Sequence, residues 1–191
     1  MAGKQAKILS DEQTERLLSF VSTTRNPIRN RVLVLLSLKA GLRAGEIAKL
    51  TWPMVLDPAG NIAGVIELRD QAAKKKSGRL IPMHRDLRDA LGRWREMSAN
   101  VGPVVRSERG GAMTPVSVCN FFAIAYRAIG LVGCSSHSGR RTFITKAARL
   151  VHQTGGSLKD VQVLAGHRSI VVTQGYIDGD TDAQRRLVSL I

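Results

Sequence analysis

The sequence predicts an α+β fold, mainly α-helical with a small antiparallel β-sheet, built as a single domain over residues 1–191. Three observations carry this. Helix-start chemistry recurs along the chain, at Ser10-Asp11, Pro27, Thr114-Pro115, Ser157 and Ser169. Only two short segments read as strands, and a basic turn joins them. No internal repeat, low-complexity tract or long Gly/Ser/Pro linker divides the 191 residues, and a 43% hydrophobic content supports one full core.

Taken in order, Ser10 or Asp11 caps a first helix that reaches about Ser22. Pro27 suits the first turn of a second helix. Its run 32–38 is apolar nearly all round, which marks a buried helix. Gly41 ends it, and residues 44–50 read as a short helix starting just after Arg43. Residues 62–69 and 79–83 read as strands, with 74–78 as the turn between them. Residues 85–99 are expected to be helical. Thr114 caps and Pro115 opens a helix to about Ile129. Another helix is expected over 137–151. Ser157 caps one that reaches Leu164 or Ala165 and stops at Gly166, and Ser169 caps a last short helix near Tyr176. The tail 180–191 starts polar and ends apolar in Leu187, Val188, Leu190 and Ile191.

Net charge is +14, from 29 Lys+Arg against 15 Asp+Glu. A folded domain this basic points to a polyanion, nucleic acid first. The excess is uneven: residues 69–95 hold nine Lys/Arg and three acids, and residues 137–149 hold four Lys/Arg and no acid. Cys119 and Cys134 lack metal-ligand spacing and read as two free thiols, with a disulfide left open. No apolar run approaches the ~18 residues of a membrane span, and the first residues lack a signal-peptide apolar core. The expectation is a cytoplasmic protein with no membrane partner.

The chain has two tyrosines, Tyr126 and Tyr176. Tyr126 lies in the apolar helix 121–129 and reads as a core or rim aromatic. Tyr176 follows a glycine after a capped turn, where a hydroxyl can project. A phenol with a pKa near ~10 is a poor nucleophile at neutral pH. It needs a base, or cations that favour phenolate. The chain supplies such groups in order: Gly41-Leu42-Arg43-Ala44-Gly45-Glu46, then His137-Ser138-Gly139-Arg140-Arg141, then Gly166-His167, nine residues before Tyr176. The guanidinium forks of Arg43 and Arg140 match phosphate oxygens in a bidentate way. One such preorganised donor is worth roughly 3 kcal/mol in a transition state. Either His137 or His167 can accept the Tyr176 proton or hold a phosphate through an N–H bond. Arg140, at i+3, shares a helix face with His137; Arg141 is less well placed and is assigned to the DNA backbone or a carboxylate partner. A zinc reading of the histidines fails for want of a third ligand at sensible spacing, so no metal is assigned. His84 and His152 fit no such set and read as surface or structural.

The ordered set Arg … His-x-x-Arg … Gly-His … Tyr resembles the tyrosine recombinases, the phage-integrase family, over residues 41–176. The resemblance implies the fold of that family's C-terminal catalytic domain. It implies a site-specific recombinase that cleaves one DNA strand without metal or other cofactor, holds a 3′-phosphotyrosine and releases a 5′-hydroxyl. Another 5′-hydroxyl then reverses the reaction, in integration, excision or inversion. It assigns Tyr176 as nucleophile, with Arg43, Arg140, His137 and His167 around the phosphate. The family lysine lies in a hairpin turn about eight residues before a strand proline. Counting back from Pro82 gives Lys74, with Lys75 second, as the proton donor to the leaving 5′-oxygen. Glu46 becomes the anchor that orients Arg43. Lys75, Lys76, Arg79 and Arg141 are assigned to DNA contact. The implied partner is double-stranded DNA, met by a chain that is monomeric in solution and multimeric on paired sites, with accessory DNA-bending proteins. The setting implied is a phage or mobile element.

Two departures from the family pattern stand out. The usual His-x-Leu-Arg-His reads His-Ser-Gly-Arg-Arg here, so Gly139 and Arg141 replace an apolar packing residue and a second histidine. Packing near Arg140 is therefore expected to differ. Most relatives also carry a separate N-terminal helical domain, for which the forty or so residues before Arg43 are too few. Either the chain is a catalytic half, or the protein is short, like the single-domain fimbrial invertases. Two rival readings keep the fold: relaxation of DNA in the manner of a type IB topoisomerase, and a DNA-binding regulator that does not cut. The apolar tail either packs on its own domain or docks on a neighbouring protomer.

Overall fold

The computed structural model describes residues 6–73, 77–176, 188, 189 and 191. Helix α1 (Asp11–Ser22) begins with a reciprocal cap: Ser10 Oγ accepts from the Gln13 N–H, and Gln13 Oε1 accepts from the Ser10 N–H. Helix α2 (Pro27–Leu38) is the centre of the molecule. Val32, Leu33, Val34, Leu35 and Leu36 are completely buried, because α1, α4 and α6 cover it on several sides. Helix α3 (Ala44–Lys49) packs against α5.

Strands β1 (Val65–Leu68) and β2 (Arg79–Pro82) form an antiparallel pair, with Val65 opposite Pro82 and Leu68 opposite Arg79. They alternate as a half-buried ribbon must: Ile66, Leu68, Arg79 and Ile81 face inward, and Val65 and Leu80 face out. The first strand is shorter than the expected 62–69. Ile62 bridges to Leu56 instead of pairing with β2, which removes its end from the ribbon. The connection 69–78 is closed by the Gly78 N–H donating to Asp70 Oδ1 at 2.8 Å. Lys74, Lys75 and Lys76 in that connection lie outside the described residues.

Helix α4 (Arg85–Met97) starts at His84, whose Nδ1 accepts from the Asp86 N–H. Helix α5 (Pro115–Ala128) starts at Thr114, whose Oγ1 accepts from the Ser117 N–H. It buries Tyr126 to 1% exposure against Phe122, as expected of a core aromatic. Helices α6 (Ser138–Leu150), α7 (Leu158–Ala165) and α8 (Ile170–Gln174) complete the chain before Tyr176. Ile144, Ala148, Val151, Val161 and Ala165 form a small second core, with Tyr176 packed at its edge. Trp52, in a 3-10 turn (Trp52–Met54), was not assigned from sequence and is fully buried. The Trp52 N–H donates to the Gly102 carbonyl and the Val104 N–H to that of Leu50, tying two loops together.

Gly139 has a steric cause. A Cβ there would overlap Ser37 Oγ and lie 3.0 Å from Ser37 Cβ, so α6 crosses α2 at a point with no space for a side chain. Of the apolar tail, Val188 and Ile191 are exposed; Leu187 and Leu190 lie outside the described residues.

Candidate active site

Arg140 projects from the first turn of α6 and is 2% exposed. One terminal nitrogen, Nη1, donates to the Gly41 carbonyl at 2.6 Å. The other, Nη2, donates to the Ala165 carbonyl at 2.7 Å and lies 3.0 Å from His167 Nε2. Both carbonyls are available for local reasons. Gly41 turns the chain after α2 with φ +62°, and Ala165 ends α7, where carbonyls lack helical partners and carry partial negative charge. Gly166 closes α7 with φ +64°, and a Cβ there would lie 2.9 Å from Arg79 Nη1. Burial first, then the charge of Arg43, pushes Arg140 down to about 10, which leaves it cationic at neutral pH.

The tautomer of His167 follows from these contacts. A guanidinium only donates, so Nε2 accepts from Arg140 and Nδ1 carries the hydrogen. Nδ1 then donates to Thr173 Oγ1 at 2.9 Å. Gln162 Nε2 donates to the His167 carbonyl at 2.9 Å and fixes the backbone. Burial, followed by the charges of Arg140, Arg43 and Arg79, pushes His167 down to about 4, so the ring is neutral at pH 7. The Tyr176 ring stacks on it with centroids 5.3 Å apart.

Glu46 is the centre of a second network and is 1% exposed. Its Oε1 accepts from Arg43 Nη1 at 2.7 Å and from Arg79 Nη1 at 3.2 Å. Its Oε2 accepts from the Arg43 N–H at 2.9 Å and from Arg79 Nη2 at 3.1 Å. Burial by itself would raise this carboxyl; the hydrogen bonds and charge of Arg79, with those of Arg43, outweigh it and hold Glu46 at about 2. The expected anchor for Arg43 therefore holds two arginines.

The geometry corrects the expectation for Arg79. Its side chain is 4% exposed, and its guanidinium is committed to Glu46 and, through Nε, to the Leu164 carbonyl at 2.8 Å. It joins β2 to α7 inside the protein and is not placed to meet DNA. The signal was present in strand parity, because Arg79 is two residues from the buried Ile81 and shares its face.

An open cleft of about 620 Å³ lies in front of Arg140. His137, Arg140, Arg141, Tyr176 and Lys7 line it, and no acidic residue does among those described. His137 is exposed just ahead of α6. Arg141 lies beside Tyr176, with its guanidinium carbon 5.9 Å from the ring centroid. Arg43, 23% exposed at its side chain, joins the cluster through Glu46. Thr173, Gln162 and Lys7 were missed from sequence. Lys74 lies outside the described residues, as do Lys75 and Lys76.

Known proteins resemble this chain in sequence and in fold. Tyrosine recombinase XerC of Agrobacterium fabrum is 28% identical over 94% of this chain and 58% of its own length. Tyrosine recombinase XerA of Thermococcus kodakarensis is 28% identical over 89% of this chain and 57% of its own. The chain thus spans a little under three fifths of these relatives. The Tn1549 transposon integrase in complex with a circular intermediate DNA has a TM-score of 0.78 at 20% identity, over 100% of this chain and 67% of that one. The crystal structure of XerA recombinase gives 0.75 at 19% identity, over 100% and 65%. The fold is therefore that of the tyrosine recombinase catalytic domain. With the phage integrase family matching residues 7–182, the chain belongs to that family.

Proposed function

We propose that this chain breaks and rejoins DNA at specific sites through a 3′-phosphotyrosine formed on Tyr176. The observation that carries this is the placement of Tyr176, stacked on His167 and facing a cleft lined by His137, Arg140 and Arg141. A phosphodiester in that cleft meets positive charge with no carboxylate among the described lining residues.

In the proposed reaction Tyr176 Oη bonds to phosphorus as the bond from phosphorus to the 5′-oxygen breaks. Arg140, held rigidly by two carbonyls, and Arg43, held by Glu46, oppose the charge that grows on the non-bridging oxygens. His167 is neutral and its Nε2 is already engaged by Arg140, so it orients that arginine and the tyrosine ring. We assign the phenolic proton to His137, which faces the cleft. The leaving 5′-oxygen takes a proton, and Lys74 is the proposed donor. The phosphotyrosine retains the bond energy, so rejoining needs no nucleotide.

Double-stranded DNA is the proposed partner, with monomers in solution assembling as multimers on paired sites and accessory DNA-bending proteins assisting. Solved structures of the Tn1549 integrase and of lambda integrase contain DNA, the latter as a dimer on a core site, which supports this reading and a mobile-element setting. A regulator that never cuts has no use for a tyrosine stacked on a neutral histidine in a cationic cleft.

The test is incubation with nicked suicide duplexes in excess EDTA. The expected product is a denaturation-resistant adduct at a 3′ end, with a free 5′-hydroxyl on the released strand. Adducts at 5′ ends, or none in EDTA, would remove the proposal. Recombinants from paired sites, set against relaxation of supercoils alone, separate a recombinase from a topoisomerase.

A further inference from the structure

We infer that Lys7 is a further DNA-binding residue of the Tyr176 cleft, gripping a backbone phosphate beside the one under attack. The inference rests on the proposed function and adds a residue to its binding surface. Lys7 lies far from the catalytic residues in sequence, yet it lines the same cleft as His137, Arg140, Arg141 and Tyr176.

The segment that carries it is fastened on its C-terminal side. Leu9 is 1% exposed, and its N–H donates to Thr142 Oγ1 on α6 at 2.9 Å in a buried hydrogen bond. Asp11, at the start of α1, pairs with Lys146 further along α6. The helix that supplies Arg140 and Arg141 therefore also fixes the approach to Lys7. Across the cleft rim, the end of the Lys7 side chain lies over Gly133, where a Cβ would come within 3.0 Å of Lys7 Cε. Gly133 has φ +83°, so both the backbone and this close approach favour glycine there. The aliphatic stem thus packs on the protein, and the ammonium stays at the mouth of a cleft with no acidic lining residue among those described.

A lysine acts on phosphate as a compact point charge, which suits a positioning contact better than the bidentate hold of Arg140. The cleft lining also includes Val171 and Val172, both exposed. They offer no charge that competes with Lys7 for a phosphate.

The test compares wild type with Lys7→Ala, Lys7→Met and Lys7→Arg by fluorescence anisotropy on a labelled duplex of about 30 base pairs, titrated between about 50 and 200 mM salt. Loss of one phosphate contact should lower the salt slope by about 1 and weaken binding several-fold at low salt. Lys7→Met keeps the stem over Gly133 and removes the charge, so it should bind as weakly as Lys7→Ala, while Lys7→Arg should regain the wild-type slope. In the same samples, acetylation of Lys7 followed by mass spectrometry should slow when the duplex is added. Wild-type slopes in Lys7→Ala, recovery by Lys7→Met, or DNA-independent acetylation would overturn the inference. Adduct formation by the wild type is read separately, so a failure of the cleavage proposal remains distinguishable from a failure of this one.

Discussion

Arg140 Nη2 lies 3.0 Å from Nε2 of His167, and this contact fixes the tautomer of the histidine. A permanent donor at Nε2 makes that nitrogen an acceptor, and Thr173 Oγ1 takes the hydrogen at Nδ1. Protonating His167 would set a second N–H against the guanidinium.

Acid should therefore destabilise the protein in two steps. His167 is pushed from its ordinary 6.5 to about 4, so in that interval the unfolded chain binds a proton that the folded protein refuses. Stability present above pH 6.5 is lost as pH falls toward 4. Glu46 is held near 2 against an ordinary 4.5, so its contribution is lost between those values. Urea unfolding across pH should show both slopes, and His167→Gln should flatten the upper one alone. An unchanged upper slope in His167→Gln would show that the histidine is not the titrating group.

Glu46→Ala should be severe. It leaves Arg79, 4% exposed at its side chain, without its carboxylate, and breaking a buried pair in this way costs about 3–5 kcal/mol. Glu46→Gln should fall between alanine and wild type, because it keeps one acceptor for the two arginines. A Glu46→Ala protein with a wild-type unfolding midpoint would contradict the anchoring role.

Gly139→Ala should lower stability by about 1–3 kcal/mol, despite alanine's better helix propensity, because the new methyl overlaps Ser37. Ser37→Ala in the same chain should recover part of the loss by removing the nearest overlapping atom. Thermal melting of the single and double variants decides it. A Gly139→Ala protein that melts at or above wild type would mean α6 can shift away from α2 at no cost.

Much of the fold was legible because its signals are local. Ser10 with Gln13, Thr114 with Pro115, and Gly166 after α7 each fix a boundary through neighbours within a few residues. The ordering of Arg43, His137, Arg140, His167 and Tyr176 was legible for a different reason: the residue types suit phosphate chemistry, and their order matches a known family. What escaped depends on contacts remote in sequence. Arg79 reads as a DNA contact within the basic segment 69–95, yet it pairs with Glu46 across 33 positions. Leu9 meets Thr142 across 133 positions, which brings Lys7 to the cleft, and no local pattern encodes that. Trp52 gives no sequence signal, because its segment is held by cross-loop hydrogen bonds rather than by any periodicity.

The most direct test of the central claim is peptide mapping of the covalent adduct on a nicked suicide duplex, with Tyr176→Phe alongside wild type. Tyr126 is 1% exposed inside α5 and serves as the internal comparison. The account predicts that the nucleotide-bearing peptide contains Tyr176, that Tyr176→Phe forms no adduct, and that it binds the duplex with close to wild-type affinity. An adduct that persists in Tyr176→Phe, or one mapped to another residue, would contradict it.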